Sequence, residues 1–197
     1  IEGEDLQIAE TIARLVGVFQ EQGKAKEAEP LLRELLKLRR KALGDEHPST
    51  MEALNQLGGV LQTQGRAKEG EPLLRELLEL RRKALGDENP STLVAIGALG
   101  GLLLDQEKFG EAEATYREGL ELSRRSQGSE SMAVLIFTSG LGRAFMGQGD
   151  LDEAEPYLRE ALARVREMLG EEHSATLRVK KYNEELLERQ REAKSKR

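Results

Sequence analysis

Cysteine and tryptophan are absent from the 197 residues, and aromatics make up only 4%. Without cysteine there are no disulfides, no thiolate metal sites and no cysteine nucleophile. Two histidines, His47 and His173, leave little from which to build a metal centre. No run of about 18 apolar residues occurs, so nothing reads as a membrane span. A surplus of positive charge is also missing. Lys+Arg 30 against Asp+Glu 36 gives −6, whereas a nucleic-acid-binding domain is normally basic. The chain opens on Ile1 with no charged-then-apolar leader behind it, and reads as a piece trimmed from a larger protein. What is abundant is charge, at 34%, beside 38% apolar residues, a balance that suits long amphipathic helices.

The second positive feature is a repeat. Ala-Leu-Gly ends at Gly44 and again at Gly86, and Gly128 and Gly170 continue the series in steps of 42. Glu27-Ala28-Glu29-Pro30 returns as Glu69-Gly70-Glu71-Pro72, then Glu111-Ala112-Glu113-Ala114, then Glu153-Ala154-Glu155-Pro156. Residues 23–50 and 65–92 differ only at Lys24/Arg66, Ala28/Gly70, Lys37/Glu79 and His47/Asn89.

Each unit carries two helical patterns. Met51, Leu54, Leu57, Gly58 and Leu61 recur at the spacing of one helix face. After Gly65 a second helix is expected from about Lys68 to Leu85, with Pro72 in its first turn and Gly86 as a left-handed C-cap. Pro48 and Pro90 open the next helices, and Ser49 with Glu52 forms a candidate capping box. Nothing reads as a strand. A two-helix unit of this size cannot bury both faces alone, so neighbours must stack into an α-solenoid. The expectation is one array over residues 1–197, with repeats at about 5–44, 48–86, 90–128 and 131–170. A capping helix follows at 174–193, with Asn183 where Leu57, Leu99 and Leu141 stand in the repeats.

The segment from Gln22 to Leu32 resembles the helix-turn-helix core of tetratricopeptide repeats. Leu43-Gly44-Asp45-Glu46-His47-Pro48-Ser49-Thr50 resembles the long linker of the kinesin-light-chain type, and Leu54-Asn55-Gln56-Leu57-Gly58 is similar to that type's first-helix motif. The resemblance spans residues 5–176 and implies an all-α, right-handed α-solenoid of four helix-turn-helix repeats plus a C-terminal capping helix. There are departures. The aromatic usual after the turn is Ala25 and Ala67, then Phe109 and Leu151. A usually small position is Leu35 and Leu77, then Gly119 and Ala161. Glu107 replaces the turn glycine of the third repeat. Bulk is thus expected to shift from one helix to its partner between repeats.

The resemblance also implies that first helices line a concave groove receiving a peptide. Carried over by position, the candidate groove residues are Arg14 and Gly17; Glu52, Asn55, Gln56 and Gly59; Val94, Ala98, Gly101 and Leu104; and Ile136, Arg143 and Met146. Asn55 and Gln56 can hold peptide amides in both directions. Gly17, Gly59 and Gly101 recur at one position, serving either close approach of a peptide backbone or close helix–helix contact. Val94, Ala98, Leu104, Ile136 and Met146 form either an exposed apolar strip or core. Arg14 and Arg143 either fork onto a ligand carboxylate or pair within their helices, as Arg14 with Glu10. The two histidines hold equivalent joint positions and read as turn residues. Arg39-Arg40-Lys41 and Arg81-Arg82-Lys83 read as helix-dipole complements, or as a phosphate-binding edge.

No catalytic constellation, cofactor motif or metal site emerges. The expected function is a non-enzymatic, cytoplasmic protein–protein interaction module that binds a peptide or helical segment of a partner, with no nucleic acid and no membrane involved. The alternative is a self-associating, autoinhibitory or sensor segment of a larger protein; self-association would make it a homo-oligomer.

Overall fold

The computed structural model describes residues 2–128 and 131–195; Ile1, Ser129, Glu130, Lys196 and Arg197 lie outside it. Nine α-helices and no strand occur among the described residues. They are α1 (Glu2–Glu21), α2 (Ala25–Leu43), α3 (Pro48–Thr63), α4 (Ala67–Leu85), α5 (Pro90–Asp105), α6 (Phe109–Gln127), α7 (Met132–Gln148), α8 (Leu151–Leu169) and α9 (Ser174–Ser195). They fall into two compact units, residues 1–106 and 107–197. In unit 1, α1 pairs with α2 and α3 with α4, while α3 packs on α2 and α5 on α4. In unit 2, α7 packs on α6 and pairs with α8, and α9 packs on α8.

The joint between a second helix and the next first helix explains the 42-residue signature. Gly44, Gly86, Gly128 and Gly170 all have φ of 80–84° with ψ of 165–170°. The expected left-handed C-cap is therefore replaced by an extended, positive-φ conformation that is essentially open to glycine only. The N–H of Gly44 still closes the helix onto the Arg40 carbonyl at 3.0 Å. The Gly44 carbonyl accepts from Thr50 Oγ1 at 2.8 Å, and Gly86 and Gly170 repeat this with Thr92 and Thr176. His47, not Ser49, caps α3: its Nδ1 accepts from the Ser49 N–H at 3.1 Å with Pro48 at the first helical position. Asn89 does the same for α5, and the His173 ring accepts from the Ala175 N–H. The Ser49–Glu52 capping box does not form, because the cap lies two residues earlier. Pro72 is likewise not in the first turn. Helix α4 starts at Ala67, so the proline sits in the second turn, where its missing N–H leaves one carbonyl without an intrahelical bond.

Two devices repeat through the stacking layers. In the first, a glutamine at the C-terminal end of α3, α5 and α7, and its counterpart on α9, grips the preceding second helix. Gln64 Nε2 donates to the Ala25 carbonyl (3.1 Å), Gln106 to Glu71 (2.8 Å), Gln148 to Glu113 (2.8 Å) and Gln190 to Glu155 (3.0 Å). The Gln148 bond is the main cause of the lowered Glu113 pKa, and the Gln190 bond of the lowered Glu155 pKa. At Glu29 burial pushes the pKa up, but hydrogen bonds from Arg33, Gln64 and Arg66 outweigh it and the net shift is downward.

The second device is volume exchange. Leu35 and Leu77 come into register with Ala53 and Ala95, and all four are fully buried. In unit 2 the sizes reverse: a Cβ on Gly119 would meet the Phe137 ring at 2.4 Å. Likewise the Phe109 ring replaces Ala25 and Ala67, and lies 2.3 Å from where a Gly147 Cβ would be. The shift of bulk read from the sequence is thus present. It also accounts for Gly70 where the first repeat has Ala28: Leu102 occupies the place of its Cβ, at 2.8 Å, and Leu102 replaces the smaller Val60.

Candidate functional site

In unit 1 the carried-over positions lie on α1, α3 and α5. Helical spacing sets Glu52, Asn55, Gln56 and Gly59 along one face of α3, and Arg14 and Gly17 along one face of α1. Asn55 and Gln56 are half-buried, and neither side chain has a partner among the described residues. A Cβ added at Gly17 or Gly59 meets nothing within 4 Å. Close helix packing is therefore not what these two glycines serve. Gly58 serves it instead, with Leu74 Cδ2 2.6 Å from its would-be Cβ. Arg14 is exposed and pairs with no described residue, Glu10 included. Glu52 is exposed and lies 3.9 Å from the Arg81 guanidinium. Arg81 is buried, donates to the Ser91 carbonyl at 2.7 Å, and has its pKa lowered by that burial, with Glu52 opposing. On α5, Val94 is 57% exposed, and Ala98 and Gly101 are half-buried.

Two positions depart from an accessible strip. Leu104 on α5 and Met146 on α7 are both buried. Helix spacing alone groups them with Val94 and Ile136. Each sits in the last turn of its helix, where the wide apolar stripes of α5 and α7 turn inward. They belong to the core.

In unit 2, α7 and α9 frame a cavity of about 250 Å³. Ile136, Ser139, Gly140 and Arg143 line it from α7, Arg178 and Tyr182 from α9, and Tyr116 from α6. Gly140 is required by packing, because the Tyr116 ring stands 2.5 Å from where its Cβ would be. Ile136 is 50% exposed at the rim. Arg143 lies over the Tyr182 ring, its guanidinium carbon 4.7 Å from the centroid. A cation–π contact holds the guanidinium over the ring without using its N–H donors. Neither Arg143 nor Arg178 has a carboxylate partner among the described residues. Most other described arginines are paired, Arg14, Arg124 and Arg191 excepted: Arg33 and Arg66 share Glu29 and Glu69, Arg40 meets Asp45 and Glu76, Arg117 meets Glu113, and Arg189 meets Glu185. Two unpaired guanidiniums at one apolar-floored cavity can bind a carboxylate by two-pronged hydrogen bonds.

Sequence reading found Arg143 and Ile136 but missed Arg178, Tyr182 and Tyr116. The signal was the capping helix itself. It stands in the place of the next first helix, 42 residues after α7, so its side chains join the α7 face. The basic band is engaged within the chain. Arg39 and Arg81 donate to the Ser49 and Ser91 carbonyls, Lys41 pairs with Asp5, Arg82 with Asp87 and Lys83 with Glu46.

The helix hairpins, glycine joints and stacking glutamines define an α-solenoid repeat protein. The tetratricopeptide repeat family pattern matches residues 7–68 and 49–125, and a second such pattern matches 138–175. The chain belongs to the tetratricopeptide repeat family, and its repeats are of the kinesin-light-chain-like type. Two crystal structures of nearly identical TPR-like repeats, described as a kinesin light chain of Podosopora anserina, superpose with TM-scores of 0.76 and 0.71. They are 23% and 26% identical and cover 94% and 95% of this chain, and 88% and 95% of their own. BtubC (BKLC) from P. vanneervenii is 21% identical with a TM-score of 0.73, over 93% of this chain and 74% of its own. No curated protein sequence matches significantly. Tetratricopeptide repeats are generally non-catalytic protein–protein interaction modules, so the family implies protein partners. No helix among the described residues is long and apolar enough to cross a membrane.

Proposed function

We propose that the chain is a cytoplasmic, non-catalytic binding module that takes an acidic peptide segment of a partner protein on the faces of its first helices. The observation that carries this reading is the unpaired Arg143–Arg178 couple in the α7–α9 cavity. In a chain of net charge −6, with carboxylates on most other arginines, two free cations beside an exposed Ile136 suit a carboxylate next to an apolar side chain. Unit 1 supports the same reading independently. Asn55 and Gln56 keep free amides beside Gly59, where open space lets a peptide backbone approach.

The test is peptide-display selection on the purified chain, with Arg143→Ala/Arg178→Ala and Asn55→Ala/Gly59→Leu variants in parallel. All four positions lie outside the core, so helicity by circular dichroism stays unchanged. Enrichment of acidic motifs, with affinity reduced about tenfold or more in the arginine variant, is expected. Enriched peptides that bind both variants as well as the parent would sink the reading. Sedimentation equilibrium on the same samples separates peptide binding from self-association.

A further inference from the structure

We infer that the acid bound in the α7–α9 cavity is the aryl phosphate of a phosphotyrosine on the partner segment, an assignment that rests on the acidic-peptide reading above.

Four side chains of the cavity carry donors that nothing in the described chain uses. Arg143 is half-buried and Arg178 exposed, and neither meets a carboxylate. The Tyr182 hydroxyl has no partner, although its ring lies under the Arg143 guanidinium. Ser139 is half-buried, and its hydroxyl is also free. Other helical hydroxyls of unit 2 are used: Thr115, Ser123 and Ser126 each donate to a carbonyl of their own helix. In a chain with 36 acidic residues, none lines this cavity, and no histidine does. Four free donors without a competing carboxylate make an anion site.

Charge and shape choose among anions. Two guanidiniums are balanced by one dianion, and a phosphate monoester carries about −1.5 to −2 charges at pH 7 on three strong acceptor oxygens. A carboxylate brings one charge and two oxygens, and leaves one guanidinium unmatched. Three oxygens also serve the Ser139 and Tyr182 hydroxyls beside the two cations. The rest of the wall is apolar. Leu135, Val165 and Val179 come from one buried cluster, and the Tyr116 ring beside them is buried too. An apolar cavity of about 150 Å³ holds a benzene ring. At about 250 Å³, this one has room for a phenyl ring and the phosphate it carries. Phosphoserine and phosphothreonine have no such body to set against the apolar wall. Met132 and Ile136 are exposed at the rim, where residues flanking the phosphotyrosine meet them.

The experiment titrates the full chain by calorimetry with phenyl phosphate, phenylacetate and inorganic phosphate. Fluorescence anisotropy then follows two fluorescein-labelled peptide pools, random except for a central phosphotyrosine or a central glutamate. Phenyl phosphate is expected to saturate at about millimolar concentration. Phenylacetate, lacking the second charge, and inorganic phosphate, lacking the ring, are expected to bind about tenfold or more weakly. The phosphotyrosine pool should bind about tenfold or more tightly than phenyl phosphate, through its flanking residues. Arg143→Lys and Arg178→Lys keep the charge but lose the fork, and each should weaken phenyl phosphate about fivefold or more, with helicity and melting unchanged. With no carboxylate or histidine lining the cavity, a gain in affinity from pH 5 to pH 7 reports the second ionisation of the phosphate, at about 6; phenylacetate shows no such gain. Phenylacetate as tight as phenyl phosphate, or a glutamate pool as tight as the phosphotyrosine pool, overturns the inference and leaves the acidic-peptide reading standing. Failure of both pools to bind overturns both. Inorganic phosphate as tight as phenyl phosphate removes the ring from the site, and phenyl phosphate as tight as the phosphotyrosine pool removes the partner segment; either overturns the inference. So does an affinity that both lysine variants retain, since the anion then binds elsewhere.

Discussion

The two units solve one packing problem with opposite distributions of bulk. In unit 1 the second helices carry the large residue, Leu35 or Leu77, and the following first helix carries alanine, Ala53 or Ala95. In unit 2 the second helix gives way to Gly119 and the first helix fills the layer with Phe137. Six of the seven phenylalanines and tyrosines lie in unit 2, and there they find glycines: Gly119 under Phe137, Gly140 under Tyr116 and Gly147 under Phe109. The lesson is that the backbone of a repeat specifies a volume per layer and is indifferent to which helix supplies it, provided the sum is conserved. The consequence for function is local. The aromatic layer of unit 2 also gives its cavity the Tyr116 wall and, through α9, the Tyr182 face on which Arg143 rests.

The sharpest way to break this comparison is to convert one solution into the other. Phe137→Ala alone is expected to cost about 3–5 kcal/mol, by creating a cavity that the glycine opposite cannot fill. Gly119→Leu alone is expected to cost about 1–3 kcal/mol by overpacking against the ring. The double variant recreates the Leu77·Ala95 pair and should recover most of the loss. Urea denaturation of the four proteins, read as a double-mutant cycle, measures the coupling. Additive losses would mean that the two sites do not exchange volume.

A smaller contrast lies within one helix. Gly58→Ala is expected to destabilise by about 1–3 kcal/mol, because Leu74 is buried and has nowhere to move. Its neighbour Gly59→Ala meets open space, and should stabilise by up to about 1 kcal/mol through helix propensity. Opposite shifts in melting temperature confirm that one glycine serves packing and the other does not.

The glutamine grip should be worth about 1 kcal/mol per layer. Gln148→Ala tests it in unit 2, and it also changes the acid response. The Glu113 pKa is lowered in the folded state, first by Gln148 and then by Arg117. Its stabilising contribution is therefore fully present above the ordinary carboxylate value of 4.5, and disappears as pH falls through the lowered value. Melting from pH 7 down to pH 3 should show a shallower acid loss in Gln148→Ala than in the parent chain. The smallest expected effect is at the hairpin turns. Gly23, Gly65 and Gly149 have positive φ, and Glu107 takes the equivalent place with φ 59°. Glu107→Gly should relieve that strain and stabilise by about 1 kcal/mol, read as a raised melting temperature.

Much of this molecule was legible before any coordinates. The 42-residue step, the apolar spacing and the joint motif determine helix number, order and approximate ends, because those features are local and repeat four times. Exchange of bulk between partner helices was also visible, since it appears as paired departures from the repeat. Other features required the tertiary structure. His47 rather than Ser49 caps α3, and Pro72 falls in the second turn of α4, because helix starts are decided by which side chain reaches a free N–H. Leu104 and Met146 share spacing with Val94 and Ile136, yet they are buried. A helix face wide enough to meet two neighbours has no sequence mark where its buried part ends. Arg143 reads as one more charge on a helix until its contact with the Tyr182 ring and its place beside Arg178 separate it from the paired arginines. The repeat period is a property of the chain and can be read along it. Which side chains remain without a partner is a property of the packed array, because it depends on residues that meet only through the fold.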